Sequence, residues 1–172
     1  LRGQDATGLA LNNGKTIEIL KRTRRPSDFI SEKVFSELIE KSFENNKGFL
    51  SAIGYCRLVT NGSLAVEENN QPIKTSKLVG VHNGIIVNIS SLNQSKIHEH
   101  DQGRPLNLNR DYFSMESGLV NSDTRQLIHY MNKIYSENNL DMNESIYQTY
   151  KYIKGTASIA LMSNHESNLY LA

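Results

Sequence analysis

The chain has 172 residues, the usual length of one domain and enough to bury a hydrophobic core without disulfides or a structural metal. Its 19 lysines and arginines balance 18 aspartates and glutamates, so the net charge of +1 gives no reason to expect binding to nucleic acid or to an anionic membrane. No apolar run approaches the ~20 residues that span a bilayer, and the single cysteine, Cys56, excludes an internal disulfide and predicts a cytoplasmic protein.

The first 20 residues predict a β-hairpin. Two strand-like runs, Leu9 to Leu11 and Lys15 to Leu20, flank the turn signal Asn12-Asn13-Gly14. Gly3 and Gly8, on either side of Asp5, precede this pattern and indicate a tight loop where the backbone approaches another part of the molecule closely. A polar turn leading into the hairpin explains them about as well.

A basic segment, Arg22 to Pro26, follows the hairpin. It could contact phosphate, but a solvated loop is favoured because the chain as a whole is nearly neutral. Ser27 or Asp28 is then available to cap a helix, and apolar residues at helical spacing predict an amphipathic helix from Ser31 to Phe43 that packs on the rest of the domain.

Two core strands come next. Phe49 to Val59 is apolar and ends beside Arg57, and Lys77 to Val87 contains an Asn83-Gly84 pair. Between them, Thr60 to Ser76 is polar and without period, and a long irregular segment in a compact domain is often functional.

The middle of the chain is less informative. Ile89 to Ile97 can form a short helix, and Gly103 to Gly118 has no clear period. His98-Glu99-His100-Asp101 could be taken for a metal site, but a surface turn is favoured because nothing else in the sequence converges on it. We therefore predict neither a metal site nor a cofactor.

The C-terminal third predicts two helices and a hairpin. A strong helix begins at Ser122 or Asp123, a second runs from Asn143 to Ile153, and the strand from Gly155 to Met162 precedes a partner at Leu169 to Leu171. The order of elements gives an α+β chain with strands enough for two sheets and helices to cover them.

The polar residues at the ends of the two core strands are chemically complementary. Arg57 offers a planar fork of donors suited to a carboxylate, and Asn83-Gly84 offers a side-chain amide beside an unscreened backbone N–H. Taken separately, each is better explained by its structural role, a strand arginine in a salt bridge and an Asn-Gly turn. Strand alternation points Cys56 away from the face that Arg57 uses, which predicts a small core residue.

Several blocks together resemble the class II (N-terminal-nucleophile, Ntn) glutamine amidotransferase domain, nearest to the glutaminase domain of glucosamine-6-phosphate synthase-like enzymes. The blocks occur in the expected order and cover nearly the whole chain: Arg2 to Gly8, Gly54 to Gly62, Asn70-Gln71-Pro72, His82 to Asn88, Ser122-Asp123-Thr124, and the hairpin from Gly155 to Ala172.

This resemblance implies a four-layer αββα sandwich, the Ntn-hydrolase fold, that hydrolyses L-glutamine to glutamate and ammonia through a cysteine thioester. It implies that Arg57 binds the α-carboxylate of glutamine, with Leu58 and Thr60 lining the same pocket. Asn83 and Gly84 correspond to the oxyanion hole, and Asp123 to the carboxylate that binds the α-ammonium group.

The sequence also departs from the family. The nucleophilic cysteine is absent and Leu1 cannot replace it, so residues 1–172 are expected to be the amidotransferase domain without its N-terminal strand and without any C-terminal synthase domain. Leu58, Asn61 and Gln71 replace tryptophan, histidine and histidine of hexosamine-forming synthases.

The expected partner is a synthase domain in the same longer chain or in a partner subunit, with amination of a sugar phosphate as the first interpretation. Asparagine-forming and purine-pathway acceptors stay open, as does homo-oligomer formation. The alternative is a domain of the same fold that lacks a nucleophile and senses glutamine or serves as a scaffold.

Overall fold

The computed structural model describes residues 3–44, 48, 50–58, 69–89 and 122–172. The elements in chain order are β1 (Ala6–Asn12), β2 (Ile17–Arg22), α1 (Pro26–Ile30), α2 (Lys33–Glu44), β3 (Ser51–Arg57), β4 (Ile73–Lys74), β5 (Leu78–Ile86), α3 (Asp123–Glu137), α4 (Met142–Tyr152), β6 (Gly155–Ser163) and β7 (Leu169–Leu171).

The strands form two antiparallel sheets. One has the order β2-β1-β3 and the other the order β4-β5-β6-β7. They face each other across an apolar layer contributed by both sheets: Ala10, Ile17, Ile53, Val79 and Met162. Alternation along each strand decides which side chains enter this layer and which face the helices.

Helices cover the outer faces of both sheets. α3 lies against β4 and β5, and its apolar stripe, including Leu127, Ile128 and Met131, is fully buried. α1 and α2 contact β1 and β2 on the other side, where Phe29 is buried. The layers therefore run helix, sheet, sheet, helix, which confirms the predicted four-layer αββα sandwich.

The terminal helix and strand predictions are confirmed. Ser122 caps α3, because its Oγ accepts a hydrogen bond from the backbone N–H of Arg125 at 3.2 Å. The predicted β5 and the β6–β7 hairpin are present. Tyr147 on α4 is exposed.

The predicted close backbone approaches at Gly3 and Gly8 are confirmed, although Gly8 lies within β1 and not in a loop. A Cβ on Gly3 would lie 3.0 Å from Cys56 Cβ, and one on Gly8 would lie 2.0 Å from the carbonyl oxygen of Gln71. Gly8 thus lets the segment before β4 lie directly against β1.

Four predictions about local structure are wrong. α1 begins at Pro26 with Arg25 at the N-cap, and neither Ser27 nor Asp28 caps it, because proline fits a first helical position whose N–H would be unpaired. The helix predicted from Ser31 to Phe43 is present as α2, but its packing was predicted wrongly, because the apolar stripe is only half-buried and Phe43 is exposed. The segment from Thr60 to Ser76 contains β4, which pairs with Val79 and Gly80.

The placement of Cys56 in the core is the fourth error. Its side chain points away from the face of Arg57, as alternation requires, but this is the outer face of β3, and Cys56 is exposed there. On the same face, no atom of the described residues lies within 4 Å of where a Cβ on Gly54 would stand.

The predicted helix from Ile89 to Ile97 and the segments around His98 to Asp101 and Gly103 to Gly118 lie outside the described residues, apart from Ile89.

Candidate functional site

Arg57 and Asn83 project into the space between the two sheets. Ile53 of β3 and Val79 of β5 pack together in the layer between the sheets. Arg57 lies on the same face of β3 as Ile53, and Asn83 lies on the same face of β5 as Val79. The two residues are 26 positions apart in sequence, and the facing of the sheets turns both toward the same gap.

Arg57 ends β3 and is held in place. It is 8% exposed, and its Nη1 donates a 2.7 Å hydrogen bond to Oδ1 of Asn70, which is itself buried. Its backbone carbonyl accepts a bond from the N–H of Asp5 at 3.0 Å. A buried guanidinium whose plane is fixed in this way can offer a preset pair of donors to a carboxylate.

Gly84 can only be glycine. Its φ of 152° is rarely adopted by residues with a side chain, and a Cβ would lie 2.0 Å from the carbonyl oxygen of Thr156 on β6. In an antiparallel strand the N–H groups of alternate residues point to the same edge. Since the His82 N–H points away from β6, toward Gln71, the Gly84 N–H points to that same edge, beside the exposed Asn83 side chain.

Asp123 is the first residue of α3, and the structure brings it to the same region. Its Oδ1 accepts a 2.8 Å hydrogen bond from the N–H of Thr124. The Thr124 hydroxyl in turn lies 3.2 Å from Nδ1 of His82, the residue immediately before Asn83. The start of α3 is therefore joined to β5 through buried side chains.

Tyr55 shows that the opposite charges of Arg57 and Asp123 act on one place. Burial raises the pKa of its phenol above the usual value, the guanidinium of Arg57 lowers that pKa, and the carboxylate of Asp123 raises it. Arg57 and Asp123 are thus both near enough to Tyr55 to shift its pKa, and they shift it in opposite directions. Tyr55 also shares the inner face of β3 with Arg57.

His82 carries the other titratable group of the region. Burial lowers the pKa of its imidazole, while the Asp123 carboxylate and the Thr156 carbonyl act to raise it. The side chain is only 2% exposed, so the neutral form is favoured at neutral pH.

Sequence reasoning gave no role to Gln71, whose side chain lies at the centre of this network. Its Oε1 accepts from the backbone N–H of His82 at 2.6 Å, and its Nε2 donates to the His82 carbonyl at 3.0 Å and to the Thr124 hydroxyl at 3.3 Å. The signal that could have found it is the Asn70-Gln71-Pro72 block, which carries part of the family resemblance and in which Gln71 replaces a histidine of related sequences.

The remaining predicted site residues are less informative. Leu58 directly follows Arg57 and is 48% exposed. Thr60 lies outside the described residues. Within the described ranges no cluster of three or more histidine, cysteine, aspartate or glutamate side chains could hold a metal ion. Among the described helices, none combines the length and apolar composition that a bilayer crossing requires.

The arrangement can hold a small zwitterion. A guanidinium and a carboxylate complement an α-carboxylate and an α-ammonium group, and an amide NH2 beside a backbone N–H can stabilise the oxyanion formed when a side-chain carbonyl is attacked.

Comparison with known proteins finds relatives over almost the whole chain. Glutamine–fructose-6-phosphate aminotransferase [isomerizing] of Bartonella henselae is 29% identical over 173 aligned positions, which cover 99% of this chain and 24% of the relative. The protein of the same name from Thermococcus kodakarensis is 38% identical over 96 positions, covering 54% of this chain and 14% of the relative. The chain thus spans about a quarter or less of these relatives. No family model matches it.

Solved structures share the fold. Glutamine phosphoribosylpyrophosphate amidotransferase from B. subtilis, complexed with ADP and GMP, aligns over 95% of this chain and 30% of its own, with a TM-score of 0.56 and 21% identity. A structure described as the allosteric regulatory enzyme of purine biosynthesis aligns over the same shares with a TM-score of 0.63 and 21% identity.

Proposed function

Because the chain belongs to the class II glutamine amidotransferase domains, we propose that it hydrolyses L-glutamine to glutamate and ammonia and supplies the ammonia to a synthase domain. The observation that carries the proposal is the convergence of two opposite charges, those of Arg57 and Asp123, with the donors of Asn83 and Gly84 on one region. Free glutamine has one anion, one cation and one amide carbonyl, and each finds a partner there.

In the proposed reaction a cysteine thiolate, supplied from outside these 172 residues, attacks the side-chain amide carbon of glutamine. The negative charge that forms on the amide oxygen is stabilised by the Asn83 NH2 and the Gly84 N–H. The C–N bond then breaks, and the amine of the N-terminal nucleophile delivers the proton that lets ammonia leave. Water cleaves the resulting thioester, releasing glutamate and the free thiol.

Arg57 and Asp123 set specificity in this scheme. Arg57 pairs with the α-carboxylate and Asp123 with the α-ammonium group, and Leu58 and Thr60 line the same pocket. Both groups lie on the α-carbon, so holding them fixes that end of glutamine, and in this scheme the side chain extends from it so that its amide lies at Asn83. An α-amino acid of another length would place its carbonyl away from the two donors.

The acceptor is proposed from the sequence relatives. Two of them carry a name that specifies amino transfer to fructose 6-phosphate. We therefore propose that a synthase domain, in the same longer chain or in a partner subunit, aminates a sugar phosphate. A cytoplasmic location belongs to this proposal.

Glutamine hydrolysis by the full-length protein tests the function. We expect glutamate and ammonia in equal amounts, with most of the rate lost in Arg57→Met and Asp123→Asn. Glutaramic acid, which lacks the ammonium group, should bind equally to wild type and Asp123→Asn, whereas 4-aminobutanamide, which lacks the carboxylate, should bind equally to wild type and Arg57→Met. If a variant weakens binding of the analogue that lacks its partner group as much as it weakens binding of glutamine, the assigned pairing is contradicted.

One observation favours a second candidate, a domain that binds glutamine without cleaving it. The only thiol of the chain, Cys56, is exposed on the outer face of β3, away from Arg57. The same assay separates the two candidates, because a sensing domain would bind glutamine by calorimetry and release no glutamate.

A further inference from the structure

We propose that Gln71 is a positioning residue for the oxyanion hole: its side-chain amide takes the place of a neighbouring strand beside His82 and so fixes the backbone that presents Asn83 and Gly84. The inference rests on the proposed glutaminase function and adds a residue to it.

The register of β4 and β5 shows what Gln71 replaces. Ile73 lies opposite Gly80 and Lys74 opposite Val79, so a continued antiparallel ladder would place the backbone of Gln71 opposite His82. The Gln71 carbonyl instead lies against Gly8 of β1, 2.0 Å from where a Cβ would stand. The side-chain amide, which carries the same donor and acceptor as a peptide group, pairs with His82 in its stead.

Two bonds to one residue fix orientation as well as position. The N–H and the carbonyl of His82 both bond to the Gln71 amide, at 2.6 and 3.0 Å, and all of these groups are buried. Because the N–H groups of His82 and Gly84 point to the same edge, rotation of the strand at His82 would turn the Gly84 N–H away from the substrate. A misplacement of 1 Å can cost about 100-fold in rate.

The same amide also reaches the other half of the site. Its Nε2 lies 3.3 Å from the hydroxyl of Thr124, the residue after Asp123, and that hydroxyl contacts Nδ1 of His82. Gln71 therefore ties the helix start that carries Asp123 to the strand that carries the oxyanion donors.

Two variants of the full-length protein test the inference. Gln71→Met keeps the length of the side chain and removes its two bonds to His82 and its bond to Thr124, so we expect kcat for glutamine hydrolysis to fall about 10–100-fold with KM changed by less than about threefold. Gln71→Glu distinguishes positioning from packing, since a protonated carboxyl can both accept and donate, as the amide does, whereas the carboxylate only accepts. Its kcat relative to wild type should rise as the pH is lowered.

Comparison with Gln71→Met at each pH removes the effect of the other titratable groups on kcat. The titratable and charged groups around position 71 are Tyr55 and Arg57 on β3, His82 on β5 and Asp123 on α3, and both variants contain all of them. As the pH is lowered, kcat of Gln71→Met divided by kcat of wild type should stay constant. The same ratio for Gln71→Glu should rise.

Asn132→Leu is the matched control. Its Oδ1 accepts bonds from the Lys77 N–H and the Thr75 hydroxyl at the far end of β5, so its loss should lower stability and leave kcat unchanged. The inference would be overturned if Gln71→Met had the kcat of wild type. It would also be overturned if kcat relative to wild type changed with pH in the same way in both Gln71 variants.

A readout without catalysis separates this inference from the proposed function. The amide proton of His82, which Gln71 accepts, should exchange faster in Gln71→Met than in wild type, and no faster in Asn132→Leu. If wild type hydrolyses no glutamine, the proposed function fails and so does the positioning role that rests on it, whether or not exchange changes. If wild type is active and exchange at His82 is unaltered, only the role of Gln71 fails.

Discussion

Replacing Asn83 by alanine removes one of the two donors proposed to stabilise the oxyanion. Loss of such a donor lowers kcat about 100- to 1,000-fold, or about 2.7–4 kcal/mol of barrier. Asn83 is exposed, so its truncation leaves no buried cavity, and the free energy of unfolding should change by less than about 0.5 kcal/mol. The variant should therefore fold and bind glutamine like wild type while turning it over slowly.

Steady-state glutamate release by the full-length protein measures this effect, with unfolding followed in parallel. Asn88→Ala is a suitable control, because Asn88 lies just beyond β5 and its side chain bonds to the Tyr152 carbonyl and the Lys154 N–H, at 2.9 and 2.7 Å. It should lose about 1 kcal/mol of stability per bond and keep its kcat. If Asn83→Ala loses affinity and rate equally, or loses neither, the role in the transition state is refuted.

Three further predictions concern stability and pH. Gly84→Ala should lose activity and about 1–3 kcal/mol of stability in urea unfolding, because its Cβ would meet the Thr156 carbonyl. Tyr135→Phe should lose about 1–2 kcal/mol in the same measurement but keep its kcat, since its buried hydroxyl bonds to Ser163 and Glu166 at the far end of the second sheet. Burial lowers the pKa of His82 below 6.5. Between that lowered pKa and about pH 6.5, the imidazole therefore binds a proton in the unfolded chain but not in the folded chain. The free energy of unfolding should therefore fall below about pH 6.5, by at most about 1.4 kcal/mol per pH unit, until the lowered pKa is passed.

Each of these predictions has a control or a contradicting result. Gly54→Ala should leave stability within about 1 kcal/mol of wild type, because its Cβ meets no atom of the described residues within 4 Å. A kcat loss in Tyr135→Phe would show coupling between the two ends of the sandwich. If the free energy of unfolding of His82→Asn depends on pH as it does in wild type, the His82 imidazole is not the cause of that dependence.

The fold was largely predictable because its signals are local. The helical spacing of Leu127, Ile128 and Met131 marks α3, and the Asn12-Asn13-Gly14 turn marks the first hairpin. β4 was missed because a strand of two residues is too short to show a period. Cys56 was misplaced because alternation tells which face a residue occupies but not whether that face is covered.

The site was only partly predictable, for a different reason. Arg57 ends an apolar strand and Asn83 precedes a glycine, which marks them in the sequence, and the sandwich turns them toward one gap. Gln71 carries no such mark. Its role depends on the register of β4 against β5 and on the turn of its own carbonyl toward Gly8, neither of which any local pattern encodes.

A crystal structure of the full-length protein with L-glutamate or unreacted L-glutamine bound tests the central claim most directly. We expect the α-carboxylate on the Arg57 guanidinium, the α-ammonium group on Asp123, and the side-chain carbonyl oxygen about 2.7–3.1 Å from Asn83 Nδ2 and the Gly84 nitrogen. An amino acid bound elsewhere, or bound here with its side chain directed away from Asn83 and Gly84, would contradict the account.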